Sequence, residues 1–113
     1  MHEMSLAEGV LQIMEDSAKQ QHFSRVKTVW LEIGQLSSVE PEAMRFCFDA
    51  VTRGSLADGA TLEIVMVDGG GQCLNCGQTV RLAAVYDACP ACGGYPVNPV
   101  SGTEMRIKEL EVE

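Results

Sequence analysis

Basic residues are scarce in this chain. Eight Lys and Arg stand against sixteen Asp and Glu, and the segment from Gln72 to Tyr95 holds only Arg81. A nucleic-acid surface must neutralise phosphates with Lys and Arg, so this balance argues against nucleic acid as a partner. Histidine is scarcer still: His2 and His22 both lie in the region of the first expected helix. No Ser-His-Asp set and no phosphate-binding loop is evident, so no enzymatic activity is expected. No run approaches the ~20 apolar residues of a membrane span. The opening Met1-His2-Glu3-Met4 lacks the basic and apolar regions of a secretory signal, and a cytoplasmic protein is expected. Aromatic residues make up only 5% of the chain, so its core must be largely aliphatic and Met-rich.

Cysteine, by contrast, is present in a pattern. Four of the five cysteines form two short pairs, Cys73-Leu74-Asn75-Cys76 and Cys89-Pro90-Ala91-Cys92, each followed by a glycine (Gly77, Gly93). A two-residue spacer lets both sulfurs of a knuckle reach one ion. The glycine lets backbone amides turn in toward the sulfurs. The twelve residues from Gly77 to Ala88 suffice for a hairpin joining the knuckles. Four soft ligands suit Zn²⁺, which prefers a tetrahedron of thiolates at about 2.3 Å. The spacing therefore predicts a structural Zn(Cys)4 site. Two disulfides, rubredoxin-like iron and a redox dithiol are the alternatives, since iron shares this ligation. Unpaired C-x-x-C thiols fit a reducing compartment. One Zn²⁺ on four thiolates would take the formal charge of −8 to about −10.

Periodicity supplies the frame. From about Ser5 to His22, Leu6, Val10, Ile13, Met14 and Ser17 step at helical intervals, with Ser5 and Glu8 at capping-box spacing and a start two residues earlier as the alternative. Arg25 to Leu36 reads as a strand, with Val29, Leu31 and Ile33 on one face and Gly34 as a bulge position. A second helix from Pro41 to Arg53 carries Met44, Cys47, Phe48 and Val51 as a stripe, widened by Phe46 and Ala50, with Cys47 as a buried thiol. Ala60 to Val67 is a second strand. Gly69-Gly70-Gly71 then reads as a flexible hinge, Thr79 to Tyr86 as a strand, and Pro96 to Pro99 as a second linker. Thr103 to Val112 is a last strand, with a bulge or twist near Lys108. A lone terminal strand is unstable by itself, so it is expected to join the sheet of the first two. The expected fold is α+β: two helices on a three-stranded mixed sheet, with an inserted zinc-ribbon-like domain. The boundaries are 1–68 plus 102–113 for the α/β domain and 69–101 for the insertion.

The amino terminus offers a second donor set. A histidine this near a chain start is usually idle, but its neighbours here are suited to chelation. An initiator Met before a bulky residue is retained, which leaves Met1 a free amine. That amine, the His2 amide nitrogen and the His2 imidazole can close adjacent chelate rings on one ion. The Glu3 amide or carboxylate, or a donor from elsewhere, completes four. Nitrogen ligands in a plane suit Ni²⁺ or Cu²⁺ rather than Zn²⁺.

Several stretches together carry a family resemblance. They are Met1-His2-Glu3-Met4-Ser5-Leu6-Ala7-Glu8, Trp30-Leu31-Glu32-Ile33-Gly34, Val39-Glu40-Pro41-Glu42-Ala43 with Arg45-Phe46, both cysteine knuckles, and Ile107-Lys108-Glu109-Leu110-Glu111-Val112. Across essentially its whole length the chain resembles the HypA/HybF family, nickel metallochaperones for nickel–iron hydrogenase maturation. The resemblance implies a nickel site at Met1, His2 and Glu3, with Ni²⁺ as transient cargo. It implies a structural zinc site at Cys73, Cys76, Cys89 and Cys92. The implied partners are the maturation GTPase HypB, the hydrogenase large subunit and, in some organisms, the urease system. Some members carry histidines in or near the zinc domain; this chain has none there. A zinc-ribbon interaction module without nickel transfer is the competing reading.

Overall fold

The computed structural model describes residues 2–113. Its elements in chain order are α1 (Glu3–Gln21), β1 (Val26–Gly34), α2 (Pro41–Thr52), β2 (Thr61–Val67), β3 (Gly70–Cys73), β4 (Thr79–Arg81), β5 (Val97–Ser101) and β6 (Met105–Val112). The strands form two three-stranded sheets, ordered β2-β1-β6 and β4-β3-β5. The chain divides into two compact units. One comprises the residues up to Leu31, Val39–Val65 and Ile107–Glu113; the other comprises Glu32–Ser38 and Met66–Arg106.

In the first unit, α1 and α2 pack against each other. Helix α1 buries Ala7, Val10 and Met14, a three-then-four spacing that sets one stripe inward. It starts two residues before the expected Ser5, with the Leu6 N–H donating to the His2 carbonyl at 3.0 Å. The Ser5–Glu8 capping box therefore does not form, because Ser5 already lies inside the helix. Helix α2 has Pro41 in its first turn, where the missing N–H costs nothing, and the Glu40 carboxylate caps it by accepting the Ala43 N–H at 2.7 Å. Met44, Cys47 and Phe48 are buried, as the stripe predicts. Phe46 does not widen that stripe: it is 72% exposed. Ala50 is exposed as well. The helical rotation carries both away from the packed face.

The first sheet is mixed. Arg25 and Glu113 exchange backbone hydrogen bonds, pairing the start of β1 with the end of β6 and making that pair antiparallel. The Gln35 N–H donates to the Val67 carbonyl at 2.8 Å, just past the carboxyl ends of β1 and β2, which makes that pair parallel. Helix α2 is the crossover that a parallel pair needs. Along β6 the alternation of half-buried and exposed residues slips between Lys108 and Glu109, near the expected irregularity.

The second sheet overturns two expectations. Gly70 and Gly71 are residues of the central strand, not a hinge: Gly71 stands opposite Val80 of β4 and Pro99 of β5. Their lack of a side chain is used for close approach. A Cβ on Gly71 would sit 2.6 Å from Leu82 Cδ1 and 2.7 Å from Val97 Cγ1. Likewise Pro99 belongs to β5 rather than to a linker, tolerated because β5 is an edge strand. The strand expected from Thr79 to Tyr86 stops at Arg81. Beneath this sheet lies a small core of Leu36, Cys73, Leu82, Cys89 and Val97, with Val80 packed against it.

Gly34 serves close approach as well. A Cβ there would collide with the Gly102 carbonyl, whose oxygen accepts the Leu36 N–H at 2.7 Å. Backbone cannot move aside as a side-chain tip can. Gly34→Ala is therefore expected to lower stability by about 1–3 kcal/mol, as overpacked sites do, read from the urea midpoint. An unchanged midpoint would show that the Gly102 turn is free to shift.

Candidate metal centres

The two knuckles bring their four sulfurs together. The Sγ atoms of Cys73, Cys76, Cys89 and Cys92 all lie within 4.8 Å of one another. Cys73 ends β3 and is fully buried, Cys89 is buried beside it in the small core, and Cys76 and Cys92 face solvent. Each knuckle closes as a turn. Gly77 donates its N–H to the Cys73 carbonyl at 2.9 Å, and Gly93 to the Cys89 carbonyl at 2.7 Å. Both glycines occupy the left-handed region, with φ of 80° and 73°.

These turns aim amides at sulfur. The Asn75 and Cys76 N–H groups each donate to Cys73 Sγ at 3.3 Å. The Gly94 N–H donates to Cys92 Sγ at 3.4 Å. The Cys76 amide, more than any other group, brings the Cys73 thiol down to about 6. Cys92 is lowered too, first by the Asn75 side-chain amide and then by the Gly94 N–H. Cys76 goes the other way: the Gln78 amide favours its thiolate, but lost solvation and the three neighbouring sulfurs outweigh that and push it up to about 11. Thiols so crowded do not all ionise by themselves, and a cation between them removes the conflict.

The spacing fits such a cation. Ligand bonds of about 2.3 Å in a tetrahedron put sulfurs about 3.8 Å apart. The Cys73–Cys92 and Cys76–Cys89 separations are 3.7 and 3.8 Å. A disulfide needs about 2.05 Å, and all five cysteines are free thiols. Zn²⁺ bound here would supply a tetrahedral cross-link between the knuckles. The fifth thiol, Cys47, stands apart on α2, 3% exposed within the first unit's core.

The predicted amino-terminal donors sit at the start of α1. Met1 lies outside the described residues. His2 is exposed and precedes the helix. Glu3 is buried, and its carboxylate accepts the Glu40 N–H at 3.2 Å. That amide is the main reason the Glu3 carboxyl is held below the usual carboxylate range. Two acidic residues 37 positions apart are thereby joined at the first turns of α1 and α2. Nothing in the local sequence names Glu3 as the partner of Glu40. His22 closes the opposite end of α1, about 28 Å along the helix, and does not join this set.

A family model described as hydrogenase/urease nickel incorporation metallochaperone, HypA, matches residues 1–112. The hydrogenase maturation factor HypA of Albidiferax ferrireducens is 65% identical over 113 residues, covering the whole of both chains. That of Dechloromonas aromatica is 62% identical over the same span. Among solved structures, the Ni metallochaperone HypA from Helicobacter pylori superposes with a TM-score of 0.74 at 27% identity, covering 99% of this chain and 97% of that one.

The Glu3–Glu40 link has a pH signature. A carboxyl lowered by folding stabilises above its unfolded pKa, and that contribution is lost as pH falls through the lowered folded value. Glu3→Gln should therefore lower the unfolding midpoint at neutral pH, and the gap to wild type should close below pH ~4. A gap that persists in acid would show that the carboxylate charge is not what the Glu40 amide reads.

Proposed function

The chain belongs to the HypA family, and from that premise we propose that it carries Ni²⁺ for the maturation of nickel–iron hydrogenase. The cargo is held by the Met1 amine, the His2 amide and imidazole, and a Glu3 donor. The observation that supports this reading is the placement of Glu3 and His2 at the start of α1. Glu3 is buried and pinned to the start of α2, so its backbone is held in place, while His2 stays exposed. A ligand set with one anchored and one exposed side can acquire an ion and surrender it donor by donor. Its donors must be deprotonated, with reference pKa values of ~6.5 for imidazole and ~7.7–8 for the amine, so acid weakens binding. Copper would bind the same nitrogens more tightly, so metal identity rests on supply and on partner recognition.

In this reading residues 1–68 and 102–113 form the nickel domain, and 69–101 form the zinc domain. Zn²⁺ on Cys73, Cys76, Cys89 and Cys92 is structural. The protein is a carrier without catalytic residues, working in the cytoplasm. It receives or passes Ni²⁺ in company with the maturation GTPase HypB and delivers it to the hydrogenase large subunit; the family description extends the same task to urease.

His2→Ala is expected to abolish Ni²⁺ binding by isothermal titration of untagged protein, with zinc content and helical circular dichroism unchanged. An uncleaved amino-terminal tag should have the same effect, because it removes the free amine. Unaltered Ni²⁺ affinity in the variant would favour the rival, a zinc module that acts through protein contacts alone.

Cys73→Ser or Cys89→Ser is expected to release zinc and lower the thermal midpoint, since each removes both a ligand and a buried core sulfur. Elemental analysis and calorimetry read the two effects. Full zinc content at an unchanged midpoint would contradict a structural ion.

A further inference from the structure

We propose that Asn75 is a positioning residue of the four-sulfur centre: its side-chain amide reaches across from the first knuckle, caps the exposed sulfur of Cys92 on the second, and slows loss of the bound metal. The inference rests on the Zn(Cys)4 reading above and goes beyond it by naming what protects the ion.

The two knuckles are unequal. In the first, Asn75 is the residue before the second cysteine; in the second, that place is Ala91, which has no polar side chain. The Asn75 backbone N–H serves its own knuckle by donating to Cys73 Sγ at 3.3 Å. Its Nδ2 serves the other, donating to Cys92 Sγ at 3.5 Å. One residue thus ties the sulfurs of two cysteines 19 positions apart, one from each knuckle. Cys92 is the partner that needs it. Cys73 and Cys89 are buried in the small core, whereas Cys92 is open to solvent, where water, chelators and oxidants reach sulfur first. A donor resting on that sulfur neutralises part of its charge and occupies one direction of attack.

Gly94 supplies the second, independent observation. A Cβ on it would lie 2.7 Å from Asn75 Nδ2 and 3.3 Å from Cys92 Sγ. Unlike Gly93, with φ of 73°, Gly94 does not adopt a left-handed backbone. Its lack of a side chain is therefore not needed for the turn. It leaves the space through which the Asn75 amide meets the Cys92 sulfur. Asn75 and Gly94 form one device.

The test challenges the zinc-loaded full chain with excess pyridylazoresorcinol and follows zinc release. Loss of an outer-shell partner weakens metal sites by about 10–100-fold, and Asn75→Ala should release zinc faster by a factor in that range. Gly94→Ala, which keeps Asn75 but displaces its amide, should do the same. The double variant should be no faster than the faster single one. Asn75→Asp preserves size while replacing the donor by a negative oxygen, and should release at least as fast as Asn75→Ala. Cobalt substitution gives a readout that loop stability alone would not move: the sulfur-to-cobalt charge-transfer band should shift to lower energy in Asn75→Ala. Wild-type release rates in Asn75→Ala and Asn75→Asp, or effects of Asn75→Ala and Gly94→Ala that multiply in the double variant, would overturn the clamp. A wild-type chain that retains no zinc would overturn the four-thiolate reading itself, and so separates the two failures.

Discussion

Four sulfur atoms within 4.8 Å of one another impose the strongest physical demand in this chain. Neighbouring thiolates repel, and the structure already shows the conflict, with Cys73 drawn toward ionisation and Cys76 driven away from it. A dication resolves it and turns repulsion into cross-linking. The surrounding lobe would gain from that resolution. Its core is five residues, two of them cysteines from the centre itself. A core of five residues buries too little apolar surface to hold a fold by burial alone. A metal bound there would contribute folding free energy.

The amino-terminal end follows a different physics. Glu3 is buried there and its carboxylate accepts a backbone N–H at the start of α2, while His2 stays exposed. Helices α1 and α2 pack on each other, α1 burying Ala7, Val10 and Met14 and α2 burying Met44 and Phe48, and that packing holds the two helix starts close enough for the bond. In the carrier reading proposed above, an exposed histidine beside an anchored Glu3 suits a cargo that must leave. A site closed by four thiolates suits an ion that stays. In that reading the division of labour between carrying and fastening follows from donor chemistry and burial.

Much of this was legible along the chain. The helical stripes and the strand faces at Val29, Leu31 and Ile33 came directly from apolar spacing, since periodicity reports which side a residue takes. The failures share one cause. The triple glycine reads locally as a break, yet Gly71 is a strand residue because Leu82 and Val97 crowd it from the sheet. Pro99 reads as a linker, yet an edge strand accommodates it. Phe46 reads as core, yet the face it takes has nothing packed over most of its ring. In each case the local preference was real but weak, and non-local packing exceeded it.

The sequence by itself determined the four-cysteine donor set, because chelation within Cys-x-x-Cys depends only on a few covalent bonds and their allowed rotations. Tertiary structure alone decided which sulfurs face water, that Asn75 reaches the opposite knuckle, and that Glu3 meets an amide 37 residues away. Those contacts join segments with no short covalent path between them. Their geometry exists only after helices and strands have packed, and no local spacing encodes it.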